Sequence, residues 1–178
     1  SIESDDYQIE LAEFSNTTIT SVEEILVAKG LKSLVTVANP LDINPAADDE
    51  VHGQIAETIL ADSGVDALVI SLDPLSPAMH TLHGSESAYY DMEGEGSIKE
   101  RIITLAATSD KPIVAVVDGG RTFDPLRDSL IEKGIPVFKV CDHAVAVLSL
   151  YIQGRLVSQS LREMGQHHVT SAAQGVLK

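Results

Sequence analysis

The residues with the clearest chemical suggestion are Gly119, Gly120 and Arg121, which follow an apolar run in Asp118-Gly119-Gly120-Arg121-Thr122 and precede a helix starting near Asp124-Pro125. Paired glycines at such a place let backbone amides approach an anion at a helix N-terminus, and the Arg121 guanidinium could add a charge-assisted contact. The same residues also suit a tight strand-to-helix turn in which glycine supplies a positive φ, Asp124 caps the helix and Pro125 takes its first position. Asn39 and Asp42 stand in Asn39-Pro40-Leu41-Asp42, at the end of an extended stretch. Side chains of this kind orient a loop, bind the polar groups of a ligand, or close Asx turns.

Other reactive types are less directed. Ser15-Asn16-Thr17-Thr18 could line a flavin phosphate, with Tyr89 and Tyr90 against the ring, but the glycine of such a loop and any Trp are missing. Ser15 or Asn16 then serves as an N-cap. His80 and His83 are spaced for a shared metal without an evident third ligand, so surface histidines are the simpler expectation. His52 and His143 fall on helices as packing residues, and Cys141 beside Asp142 has no cation to activate its thiol. No metal site is expected, and Walker-type and GxGxxG loops are absent.

These groups are positioned by an alternation of short apolar runs and longer helical ones. Strands are expected over 8–12, 34–37, 67–72, 113–117 and 137–140, and helices over 17–29, 49–61, 97–108, 124–133 and 143–154. Continuously apolar runs such as Ile113-Val114-Ala115-Val116-Val117 suit a parallel sheet covered on both faces. The fold class is therefore α/β: a doubly wound, mostly parallel, three-layer sheet of about four or five strands. Residues 73–97 are long for a strand-to-helix connection and form an inserted excursion, while residues 165–178, with His167-His168, form a tail or linker after a domain over 1–164.

Composition narrows the partners. With 27 acidic and 12 basic residues the net charge is −15, which repels nucleic acid and anionic lipid. No run suits a membrane span or a signal peptide, so a cytoplasmic location is expected.

The order of several motifs resembles the NDP-forming (ADP-forming) acyl-CoA synthetases, relatives of succinyl-CoA synthetase. They are Ile9-Glu10-Leu11-Ala12-Glu13-Phe14-Ser15, then Asn39-Pro40-Leu41-Asp42, Asp62-Ser63-Gly64-Val65-Asp66-Ala67-Leu68-Val69-Ile70, Lys111-Pro112-Ile113-Val114 through Asp118-Gly119-Gly120, and Lys133-Gly134-Ile135-Pro136-Val137-Phe138. The excursion and the tail fall outside the match. The resemblance implies a flavodoxin-like, succinyl-CoA synthetase-like ligase domain, in enzymes that interconvert acyl-CoA, NDP and phosphate with acid, CoA and NTP through a phosphohistidine. It implies CoA-binding, phosphohistidine and ATP-grasp domains as partners. CoA, ATP or ADP, and Mg are needed by the full enzyme, with no cofactor in this segment. By the same resemblance Gly119, Gly120, Asn39 and Asp42 face the shared active site as positioning groups.

The resemblance also implies a first strand-helix unit with a glycine-rich turn and the context of a phosphorylated histidine; neither is read in these 178 residues, so the first unit is expected to be missing from this segment. Alone, the segment is expected to be inactive. The alternative is a non-catalytic sensing or interaction module of a CoA-ligase-like protein, as when this architecture is fused to a protein acetyltransferase.

Overall fold

The computed structural model describes residues 9–84 and 90–175. In chain order its elements are α1 (Asn16–Ala28), α2 (Asp49–Ala61), β1 (Leu68–Leu72), α3 (Ile98–Thr108), β2 (Ile113–Val117), α4 (Asp124–Glu132), β3 (Val137–Phe138) and α5 (Cys141–Gly175). Side-chain oxygens open the first three helices: Ser15 accepts from the Thr18 amide, Asp48 from Val51 and Ser97 from Glu100. Each satisfies an amide that the helix itself leaves without a partner.

The strands form one parallel sheet in the order β1-β2-β3, with Leu68 to Leu72 in register with Ile113 to Val117, and Ala115 and Val116 with Val137 and Phe138. Parallel neighbours need a crossover, and α3 and α4 supply the two. Ile70 and Leu72 of β1, with Ile113, Ala115 and Val117 of β2, pack against Ile98 and Ile102 of α3 and Leu126 and Leu130 of α4. Val114 and Val116 point to the opposite face and are buried too. Both faces of β2 are covered, which is why its sequence is apolar without alternation. A second cluster joins Val22 and Leu26 of α1 to Val51, Ile55 and Ile59 of α2.

The sheet has three strands among the described residues, fewer than the four or five expected. Ile9 to Ala12 have no regular structure, and Gln8 lies outside the described residues. Lys32–Leu34 is a 3₁₀ turn, after which Val35 is extended and buried in the second cluster. Val35 shows that a short apolar run can bury a side chain without strand pairing. At the other end, α5 runs on to Gly175 where a helix over 143–154 was expected. The chain divides into two units, residues 10–144 and one containing α5 from Val145. Among the described residues, no helix is long and apolar enough to cross a membrane.

The excursion after β1 is tied into the first unit. Met79 and Met92 enter the main core, and Leu82 bridges to Asp91. Its anchor is Asp49, a buried carboxylate in the first turn of α2 that accepts from the His80 amide at 3.1 Å and the Ile98 amide at 2.5 Å, with His80 Nδ1 at 2.5 Å. One side chain thereby holds the excursion and the start of α3 to α2.

Candidate functional site

In a parallel sheet all strands end on the same side, and ligand sites of open α/β sheets form in the loops beyond those ends. Here the loops follow Leu72, Val117 and Phe138, and their residues meet. Gly119 lies against Pro74 of the first loop and Phe123 of its own, since a Cβ at Gly119 would stand 3.5 Å from the Pro74 ring and 2.9 Å from the Phe123 ring. Lys139, just after β3, lies 3.4 Å from the carboxylate of Asp124, the residue that opens α4 after the second loop.

Arg127 shapes the turn between β2 and α4. Its guanidinium is buried, with Nη1 donating to Val117 O at 2.8 Å and Nη2 to Gly120 O at 2.7 Å. Nε and Nη2 also donate to Asp124 Oδ1, at 3.1 and 2.6 Å. Two carbonyls at the strand exit thus find a cation below them, and the Asp124 carboxyl is held below its ordinary range by Arg127 first and then by Lys139. Asp124 is not the N-cap expected from sequence. A 3₁₀ turn over Arg121–Phe123 intervenes, Phe123 takes the cap position without a side-chain bond, and Asp124 begins the helix with Pro125 beside it.

The two glycines of the turn have different reasons to be there. Gly119 has φ +116°, a conformation that disfavours any side chain, and Phe123 leaves no room for one. Its amide donates to the Asp118 carboxylate at 2.6 Å. Gly120 has an ordinary φ of −74° and nothing within 4 Å of where a Cβ would stand. Neither backbone nor packing requires glycine at Gly120. Arg121 is exposed beside it.

Asn39 and Asp42 belong to the segment between α1 and α2. Asn39, which precedes a cis peptide to Pro40, donates from Nδ2 to Ala12 O at 2.9 Å and so ties this segment to the irregular one ahead of α1. Asp42 is exposed on the way to α2. The same segment reaches the first carboxyl-edge loop through Pro45 O, which accepts from Ser76 Oγ at 2.6 Å. Among the described residues no hydrogen bond or ion pair joins Asn39 or Asp42 to Gly119, Gly120 or Arg121.

The remaining reactive residues serve structure. Ser15 Oγ caps α1, and His52 Nδ1 lies 3.0 Å from Asp48 O. His83 is exposed, 3.9 Å from Glu93, and His80 is engaged by Asp49. Among the described residues no three His, Cys, Asp or Glu side chains are grouped to hold a metal ion. Burial, and then Asp142, push the Cys141 thiol up, away from a reactive thiolate. Tyr89, and the side chains of His167 and His168, lie outside the described residues. Sequence inspection missed Arg127, although its spacing of three from Asp124 on a helix was a usable sign of pairing.

The fold has counterparts among solved structures. The crystal structure of PH0766 from Pyrococcus horikoshii OT3 superposes with a TM-score of 0.62 at 23% identity, over 85% of this chain and 31% of that one. A dinucleotide forming acetyl-coenzyme A synthetase 1 of Ca. Korarchaeum cryptofilum, in its apo form, superposes at 0.61 with 20% identity, over 90% of this chain and 31% of that one. The chain therefore spans about a third of the length of each. No protein-family model matches it, and no curated protein does. At these identities the likeness is one of fold, and it supports the flavodoxin-like α/β architecture expected from the sequence.

Proposed function

We propose that this chain is the ligase domain of an NDP-forming acyl-CoA synthetase, which takes part in interconverting acyl-CoA, NDP and phosphate with acid, CoA and NTP. The observation that carries this function is Gly120. A glycine that its own fold does not require, beside an exposed Arg121 on the carboxyl edge, suits a backbone that another body approaches closely. The likeness in fold to about a third of an acetyl-coenzyme A synthetase supports the same assignment.

In this assignment the chain's residues position rather than react. Arg127 fixes the Val117 and Gly120 carbonyls, so that the turn is set before a partner arrives. Gly120 leaves its backbone accessible, and Arg121 offers a cation to a phosphate. Asp118 is turned back onto the Gly119 amide. Asn39 and Asp42 order the approach to α2 on the rim of the shared site. The phosphorylated histidine, the CoA site and the ATP-grasp site belong to partner domains of the same protein or of a partner subunit. The described residues offer no metal cluster, so Mg is assigned to those domains as well, where it would neutralise phosphate charge. This domain alone turns over no acyl-CoA.

The test uses the polypeptide or complex that unites this domain with those partners. Gly120→Val and Arg121→Ala are each expected to slow phosphorylation of the partner histidine by ATP about tenfold or more, with thermal stability unchanged. Wild-type rates in both variants would make the turn structural only.

A further inference from the structure

Helix α5 carries apolar residues on two opposite faces. Ala144, Val145 and Leu148 are buried on one of them. On the other, Val147, Leu150, Val157, Leu161 and Met164 are each between 45% and 68% exposed. Their numbers, with Gly154 completing the series, advance by three, four, three, four and three, which is the spacing of a coiled-coil seam. A stripe of this kind in water needs a partner of the same shape.

Charge identifies which partner. The whole chain carries −15, yet the residues beside the seam, Ala146, Tyr151, Gln153, Ser158 and Ser160, are all uncharged. Between Val145 and Met164 the charges are Arg155, Arg162 and Glu163, two positive against one negative, all off the seam. The acidic excess is thus kept off the helix that, among the described residues, exposes the most large apolar side chains. We propose that α5 pairs with α5 of a second copy of this chain, in antiparallel orientation.

Two features select that orientation. Antiparallel pairing sets Val147 against Met164, Leu150 against Leu161, and Gly154 against Val157, so that the small residue meets a branched one. A parallel pair would instead leave Gly154 opposite Gly154. The acidic residues 10–144 are joined to α5 at Val145, and antiparallel helices place the two Val145 residues roughly 32 Å apart along the axis, several screening lengths of about 8 Å. Burying both stripes removes roughly 1,000 Å² from water, at the lower limit of a specific interface, the range of weak and transient pairs.

Sedimentation of the whole chain at tens of micromolar tests this. The wild type should run as a dimer, and Leu161→Glu as a monomer with Kd raised about 100-fold and unchanged far-UV circular dichroism. Leu156 is equally exposed but lies off the seam, so Leu156→Glu should remain dimeric. In a Cys141→Ala background, Val147→Cys with Met164→Cys should form a disulfide-linked dimer on oxidation, and Val147→Cys alone should not. A monomeric wild type, a dimer that survives Leu161→Glu, or one lost equally in Leu156→Glu would overturn the pairing. Cross-linking of Val147→Cys alone would overturn the antiparallel orientation.

Discussion

Thr18 in the first turn of α1 donates its hydroxyl to Asp62, the residue that ends α2, at 2.6 Å. The same carboxylate accepts from the Ser15 amide at 2.8 Å and the Gly64 amide at 2.9 Å. One side chain thus closes the start of one helix onto the end of the next. Lys111, donating to the Leu60 and Asp62 carbonyls at 2.6 Å each, holds the same corner from the other side.

The bonds from Thr18 first, then Gly64 and Ser15, hold the Asp62 carboxyl well below the ordinary carboxylate range. A carboxyl whose folded pKa is depressed below the unfolded value of about 3.9 adds stability that is fully present above that value. That stability is lost as pH falls through the folded pKa. Asp62→Asn should therefore lower stability at neutral pH and flatten its acid dependence. Thr18→Val should move acid unfolding to higher pH. Circular dichroism during acid titration checks both, and an unchanged acid midpoint in Thr18→Val would show that the hydroxyl does not hold the carboxyl.

The two glycines of the β2–α4 turn should separate under substitution. Gly119→Ala places a methyl 2.9 Å from the Phe123 ring at a positive φ, and should cost about 2 kcal/mol or more. Gly120→Ala meets nothing within 4 Å at an ordinary φ, and should stay within about 0.5 kcal/mol of wild type. Urea denaturation of both variants decides this, and equal losses would contradict the turn geometry.

Arg127→Met should destabilise by about 2–4 kcal/mol, because it takes the donor from the buried Val117 carbonyl and breaks the part-buried bond to the Gly120 carbonyl. Arg127→Lys should recover only part of that loss, since an ammonium cannot span both carbonyls and Asp124 in one plane. Thermal unfolding measures the difference, and full recovery by lysine would show that charge alone suffices.

Much of this architecture was legible from residue order. The bounds of α2 and β2 coincide with those read from the pattern, because Asp48 caps the one and an unbroken apolar run defines the other. The run over 34–37 is the weakest of the expected strands, since Asn39-Pro40 follows at once and a run bounded by proline can be extended loop, and a strand also needs a neighbour that four residues do not reveal. Beyond 154 the apolar spacing of α5 continues through Val157, Leu161 and Met164, a sign of helix that the expected end at 154 leaves unused, and only after Met164 does the chain turn polar and small. Gly119 and Gly120 are visible as a pair, but the φ of each and the Phe123 ring against Gly119 separate the glycine that the fold demands from the one it does not. The anchoring by Arg127 and Asp49 was illegible for a simpler reason: burial of a charged side chain depends on partners far along the chain.

Asp49 also bears on the order of folding. It gathers His80 from 31 residues away and Ile98 from 49, and each contact must wait for a large loop to close. Helices α1 and α2, joined by a shorter stretch, can associate without it. The excursion should then dock late, contributing little to the folding rate and more to the rate of unfolding.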